Sequence, residues 1–248
     1  MKQKQRLYKD LAIYYDIVFK DRDYYREADF IKAIVKERKL GNELLDVGCG
    51  TGRHDELLKN DFRITGIDPN KQILDIAVNK NSSVNYHQLS MADFKLSQKF
   101  DVVISLFGVI HYAKDYVELR KTFKNVYNHL KPKGLFIFDV GLRKDTFKDH
   151  NEIIGVNERG LSVTMIKNTY KIDPNHANTL LTFFIKDADG SREEYDEHEQ
   201  LIIDIQKTKS MLESTGFKVK LYDRDFSGKP FTEISKMPVF VCIKKRYE

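Results

Sequence analysis

Leu44-Leu45-Asp46-Val47-Gly48-Cys49-Gly50-Thr51-Gly52, with Arg53 and His54 behind it, is the segment around which this chain is organised. A short apolar run ends in an acid and opens at once into three alternating glycines. That is how a buried parallel strand turns sharply into a helix around a ligand. Glycine has no Cβ to hold a ligand off the main chain and tolerates positive φ, so the backbone itself becomes the binding surface. A helix expected over Arg53 to Lys59 would aim the free N–H groups of its first turn at that ligand. The spacing is G-x-G-x-G with an acid two residues ahead, whereas dinucleotide folds use G-x-G-x-x-G. A carboxylate suits an amino acid bearing an ammonium and a sulfonium better than it suits a pyrophosphate, so Asp46 points to a cationic ligand. The competing account is a glycine-rich turn with no ligand.

The 248 residues suffice for one α/β domain with a small insertion. Hydrophobic residues make up 41% and charged residues 32%, and no apolar run approaches the roughly 18–20 residues a membrane helix needs. The basic start, Met1-Lys2-Gln3-Lys4-Gln5-Arg6, leads into Tyr8, Lys9 and Asp10 with no apolar stretch of a signal peptide, so a cytoplasmic location is expected. Cys49 in the glycine loop and Cys242 in a late apolar strand are too few and too differently placed for a disulfide framework or a metal site, and no metal is expected. The net charge of +5 comes from Lys and Arg scattered among acids. That pattern argues against nucleic acid as a partner and suggests mild steering of an anionic substrate.

Before the glycine segment, Leu11, Ala12, Tyr15, Val18 and Phe19 predict a helix over Tyr8 to Phe19, and Phe30, Ile31, Ile34 and Val35 predict another from Asp23 to Arg38. Tyr8, Tyr14, Tyr15, Tyr24 and Tyr25 crowd this region more densely than packing requires. After it, strands are expected at Phe62 to Ile67, ending at Asp68-Pro69-Asn70, at Val84 to Gln88, at Phe100 to Leu106 and at Leu135 to Val140. Helices from Gln72 to Asn79 and from Tyr116 to Leu130 intervene, with a turn at Lys131-Pro132-Lys133-Gly134. Asp68 at a strand end is placed to accept from ribose hydroxyls, or to cap a helix ahead of Pro69. Ser90 and Asp93 have capping-box spacing. From Asn151 to Asp204 the period falls to two, and Leu161 to Ile172, Leu180 to Lys186 and Glu194 to Ile203 read as antiparallel strands.

Leu45 to Gly52 resembles, almost letter for letter, the first motif of the class I S-adenosylmethionine-dependent methyltransferases. Tyr15-Asp16, Asp23-Tyr24 and Glu27-Ala28 resemble the N-terminal cap of nucleotide-linked amino-sugar N,N-dimethyltransferases. The resemblance implies an α/β fold: a Rossmann-like class I methyltransferase sheet, an N-terminal helical cap, and a small antiparallel β insertion over the active site. Residues 1–150 would hold the cap and cofactor core, 151–204 the insertion, and 205–248 a helix and strands completing the sheet. S-adenosylmethionine would be the cofactor and S-adenosylhomocysteine the product. It would be held by Asp46, Gly48, Cys49, Gly50 and Gly52, by Asp68 and Pro69 at the ribose, by Met91 and Ala92 flanking the adenine with Asp93 beside its amino group, and by Leu106 and Tyr15. The Asn/Asp-Pro-Pro-aromatic turn of base-amine methyltransferases is replaced by Leu106-Phe107-Gly108-Val109-Ile110-His111-Tyr112, which favours a small-molecule acceptor.

Methyl transfer from a sulfonium chiefly demands alignment, and an amine acceptor must also lose a proton. His111 lies nearest the methyl group by position, although the family's catalytic histidine aligns with Tyr112. His198 and Tyr15 are further candidates. The expected activity is methylation of a small-molecule amine, with a nucleotide-linked amino sugar as one acceptor and a homodimer as one state. The alternatives are an O-methyltransferase, an RNA methyltransferase, a nicotinamide oxidoreductase, and a non-catalytic S-adenosylmethionine-binding protein.

Overall fold

The computed structural model describes residues 4–158, 160–223, 225–232 and 237–245, so Met1, Lys2 and Gln3 of the basic N-terminus lie outside the described residues. Two short 3₁₀ turns, Arg6–Tyr8 and Ala12–Tyr14, precede α1 (Tyr15–Val18) and α2 (Tyr24–Glu37). Then follow β1 (Glu43–Val47), α3 (Arg53–Leu58), β2 (Arg63–Asp68), α4 (Lys71–Lys80), β3 (Asn85–Gln88) and β4 (Phe100–Ser105). A 3₁₀ turn at Val109–Tyr112 leads to α5 (Tyr116–His129) and β5 (Leu130–Asp139). β6 (His150–Glu158), β7 (Leu161–Lys171), β8 (His176–Asp187) and β9 (Gly190–Leu201) come next, then α6 (Ile205–Thr215), β10 (Phe217–Asp223) and β11 (Pro238–Lys244).

Seven strands form one sheet in the order β10-β11-β5-β4-β1-β2-β3, with β11 antiparallel to both neighbours. The near-continuous apolar runs of β1, β4 and β5 are buried on both faces, as a parallel sheet between helix layers requires. On one face Phe30, Ile31 and Ile34 of α2 pack on Leu44, Val102 and Ile104. On the other, Phe123 and Val126 of α5 and Met211 of α6 pack on Val103, Phe136 and Phe138. Each such fully buried side chain contributes about 1.5–3 kcal/mol through removal of apolar surface from water. Strand order reverses between β1 and β4, and the crevice beyond their carboxyl ends is where such sheets bind ligands. Among the described residues no helix is long and apolar enough to cross a membrane.

β6 to β9 make a separate antiparallel sheet of consecutive hairpins. Its inner face, with Val163, Met165, Leu181 and Phe183, is covered by Leu7, Leu11, Tyr14 and Val18 of the N-terminal segment.

Three expectations need correction. The helix over Tyr8 to Phe19 is broken into 3₁₀ turns and one α-turn, because the segment bonds to the sheet: Gln5 N–H donates to the Glu197 carbonyl (3.2 Å) and Leu7 N–H to the Asp196 carboxylate (2.7 Å). Lys131-Pro132-Lys133-Gly134 is not a turn ahead of the strand. It is a bulge inside β5, where Phe100 pairs with Leu130 but Val102 with Leu135, and Lys133 sits at φ 66°. Finally, β6 was not foreseen, since an exposed polar edge strand carries little apolar alternation.

Candidate active site

The glycine loop leaves β1 with Gly48 N–H (2.7 Å) and Cys49 N–H (3.1 Å) both donating to the Ile67 carbonyl. Gly48, Gly50 and Gly52 take φ values of 76°, 56° and 70°, the left-handed region that side chains disfavour. A cavity of about 200 Å³ opens above this loop. Gly48, Cys49, Gly50, Asp68, Pro69, Met91, Leu106, Tyr15 and Tyr112 all line it, so most of the expected cofactor residues are brought together.

Asp68, 8% exposed at the end of β2, accepts from Asn70 N–H at 2.9 Å and Gly50 N–H at 3.3 Å. Burial pushes its carboxyl up, and these bonds oppose the shift. The turn from Ser90 to Phe94 is not helical, so no capping box forms there. Met91 lines the cavity; Ala92 does not, and Asp93 is exposed outside it. Gly52 is absent from the lining as well. A Cβ there would fall 2.5 Å from Tyr86 Oη, so its neighbours rather than a ligand demand glycine.

Asp46 also departs from expectation. It is 2% exposed, outside the cavity lining, and turned toward Asp55 of α3. Burial and the Asp55 charge push Asp46 well above the usual carboxylate range, and burial raises Asp55 to about 6. Burial of two facing carboxyls thus favours their protonated forms, and Tyr86 Oη donates to Asp55 at 2.8 Å. The acid of the motif therefore braces α3 beneath the loop and makes no direct contact with the cavity.

Residues that the sequence did not single out for the cofactor complete the lining, among them Tyr24, Arg53 and Ser90. The Tyr24 hydroxyl is buried without a hydrogen-bond partner, and burial pushes the phenol up to about 12, so it stays a donor. The Arg53 guanidinium stands 5.3 Å from the centre of the Tyr24 ring. A buried orphan donor beside a cation fits a carboxylate, which an amino-acid cofactor carries. Thr51 donates to Asp16 at 2.6 Å, and Asp16 also pairs with Lys80, which fastens α1 onto the glycine loop.

A second pocket of about 110 Å³ lies between the N-terminal segment and the inner face of the small sheet, where Met165, Lys167, Thr179, His198 and Gln200 line it. Tyr8, Tyr15, Phe107 and Tyr112 line both cavities and form an aromatic partition between them. Phe107 holds φ 64°, with the Arg22 guanidinium 3.9 Å from its ring centre and Phe19 edge-on at 4.9 Å. A phenylalanine kept left-handed at the mouth of β4 is strain of the kind that functional sites retain.

The structure does not bring His111 to either cavity. It is 2% exposed, its Nδ1–H donates to the Leu201 carbonyl at 2.7 Å, and its Nε2 accepts from Gly141 N–H (2.9 Å) and Leu142 N–H (3.2 Å). Both nitrogens are occupied, so this imidazole is a structural clamp with no lone pair for a substrate proton. Tyr112, one residue on, faces the partition and bonds His198 Nδ1 at 2.8 Å. Sulfur and nitrogen ligands are not gathered for a metal: among the described residues no group of three or more His, Cys, Asp or Glu side chains is placed to hold one.

A family model described as a methyltransferase domain matches residues 44–134. A protein of Geobacillus sp. (strain WCH70) that bears a methyltransferase name is 31% identical over 250 residues, covering 96% of this chain and 99% of that protein. The dTDP-3-amino-3,4,6-trideoxy-alpha-D-glucopyranose N,N-dimethyltransferase of Streptomyces venezuelae is 33% identical over 144 residues, 56% of this chain and 61% of that protein. Among solved structures, Streptomyces venezuelae DesVI superposes with a TM-score of 0.84 at 26% identity, over 94% of this chain and 98% of that one. The sugar N-methyltransferase KedS8 from Streptoalloteichus sp. gives 0.83 at 26% identity, over 94% and 93%. The chain belongs to the class I S-adenosylmethionine-dependent methyltransferases, on the side of that family where the amino-sugar N-methyltransferases lie. As a member of that family it takes S-adenosylmethionine as its cofactor and leaves S-adenosylhomocysteine as the product.

Proposed function

We propose that this cytoplasmic enzyme methylates the nitrogen of a small-molecule amine, with a nucleotide-linked amino sugar as the first acceptor to try. The observation that carries the reading is the aromatic partition: Tyr8, Tyr15, Phe107 and Tyr112 belong at once to the cofactor cavity and to the pocket behind it. A methyl donor on one side and an acceptor on the other would meet at these four rings, whose faces favour a positively charged centre. When bound, the cofactor supplies an electrophilic methyl on a good leaving group. The chain's own task is to align and desolvate, and near-attack alignment accounts for up to about 7–11 kcal/mol of such a barrier.

In this reading the loop backbone at Gly48, Cys49 and Gly50 cradles the amino-acid part of the cofactor, and Tyr24 with Arg53 holds its carboxylate. Asp68 accepts from the ribose hydroxyls, with Pro69 beside it, and Met91 and Leu106 flank the adenine side. Tyr15 and Tyr112 bound the acceptor, and His198 stands behind Tyr112. Asp46, Gly52 and His111 support the site from outside it, and Ala92 and Asp93 stand outside the cavity. The test is calorimetric titration with S-adenosylhomocysteine, followed by a panel of amine metabolites and sugar nucleotides added to the saturated protein. The expected result is cofactor binding and a heat response to an amine. Binding of the cofactor with a response only to hydroxyl acceptors would replace the N-methylation reading, and no cofactor binding would remove the whole assignment.

A further inference from the structure

Four side chains at the partition form one continuous hydrogen-bonded row. Tyr8 Oη lies 2.7 Å from Tyr112 Oη, Tyr112 Oη 2.8 Å from His198 Nδ1, and His198 Nε2 2.7 Å from Asp196 Oδ2. Asp196, 3% exposed, also accepts from Leu7 N–H at 2.7 Å through Oδ2 and from Glu197 N–H at 2.7 Å through Oδ1. Burial raises this acid, but the bond and charge of His198 and the main-chain donors outweigh it and hold Asp196 below the ordinary carboxylate range. A carboxylate can only accept, so Nε2 of His198 carries a proton, and in the neutral imidazole Nδ1 then offers its lone pair to the Tyr112 hydroxyl. Tyr112 in turn accepts from the Tyr8 hydroxyl, and the oxygen of Tyr8, a donor in this row, keeps its acceptor capacity for a group at the junction of the two cavities.

We infer that Tyr8, Tyr112 and His198 form a proton relay that accepts the acceptor's ammonium proton, and that Asp196 is the positioning residue that fixes the direction of the relay. The inference rests on the amine reading above. The acceptor's N–H proton passes to Tyr8 Oη, the Tyr8 hydroxyl proton to Tyr112 Oη, and the Tyr112 hydroxyl proton to His198 Nδ1. Both phenols end neutral, and the charge lost by the amine resides on an imidazolium held by Asp196. The amine's freed lone pair then forms the new C–N bond as the donor's S–C bond breaks and its electron pair returns to sulfur.

Neither tyrosine can be the final base, because burial pushes both phenols well above their ordinary range. Histidine is the side chain suited to end such a chain. The charged and titratable groups that face His198 are Asp196 from its own strand, Tyr8 from the N-terminal segment, Tyr112 from the turn after β4, and Lys167 across the pocket from β7. The N-terminal segment contributes twice, through the Tyr8 hydroxyl and through the Leu7 amide on Asp196. The relay is thus complete only when that segment is seated on the sheet.

The first arm of the test needs no acceptor. In protein with 15N-labelled histidine and S-adenosylhomocysteine bound, His198 should be the Nε2–H tautomer, and Asp196→Asn should lose that preference while S-adenosylhomocysteine still binds. An Nδ1–H tautomer in the unaltered protein overturns the relay, whatever the acceptor is. The second arm uses the amine returned by the calorimetric panel. Tyr8→Phe keeps every buried contact except one hydroxyl and stands in if Asp196→Asn does not fold. It should lower kcat tenfold or more near neutral pH, with KM for the cofactor unchanged. The deficit should close as pH rises and the amine arrives already deprotonated. A deficit equal at all pH values means a merely structural hydroxyl and overturns the inference.

Discussion

The cavity over the glycine loop and the pocket behind it, against the small sheet, are built on different principles. In the first, one unbroken segment, β1 with its glycine loop, presents main chain to the cavity, and single side chains such as Asp68 and Tyr24 complete its lining. In the second, the hydrogen-bonded side chains come from three separate places in the chain, the N-terminal segment, the turn after β4 and strand β9, and meet only in the folded protein. A site made of backbone tolerates much change around it, whereas a site made of a side-chain row depends on every link.

The contrast can be broken at its weakest joints. Phe183→Ala, at a fully buried position of the small sheet, should cost about 3–5 kcal/mol in denaturant unfolding if the two sheets unfold as one unit. A separate early transition would show instead that the small sheet is an independent body. Asp68→Ala should weaken S-adenosylhomocysteine about 100-fold by calorimetry, from two charge-assisted hydrogen bonds at about 1.5 kcal/mol each. The row from Tyr8 to Asp196 should stay intact, as the His198 tautomer would report. Tyr24→Phe removes one buried donor and should weaken the same ligand about tenfold, with the acceptor response unaltered.

The smallest change is expected at the paired acids. The folded Asp55 carboxyl, at about 6, lies above its unfolded value near 4, so the folded state holds the extra proton between those limits. Stability from this pair is therefore present at low pH and is lost as pH rises through about 6. Asp46→Asn should raise the melting temperature at pH 7 and flatten its dependence between pH 5 and 7, a shift readable by calorimetric scanning.

The glycine loop, the strand-end acid Asp68, and the tyrosine-rich start were legible because each is a local pattern of residue type and spacing. The paired acids were not, since Asp46 and Asp55 become partners only through the turn that places α3 under the loop. His111 and Tyr112 were assigned one residue apart from their geometry for a similar reason. They sit in a 3₁₀ turn, where each step rotates the side chain by about 120°, so one ring enters the core and its neighbour the partition. Asp196 was hidden by its company: among Glu193, Glu194, Glu197 and Glu199 it reads as one more solvated acid, and only strand parity turns it inward with His198.

The placement of β11 has a kinetic consequence. It fills the gap between β5 and β10, so pairs such as Asp139 with Val239 close across the whole of the second sheet. β6 to β9, in contrast, are joined only by short hairpins. Local contacts form quickly and long closures slowly. The small sheet can therefore be standing before the main sheet acquires its last two strands, and slow refolding should report the arrival of β11.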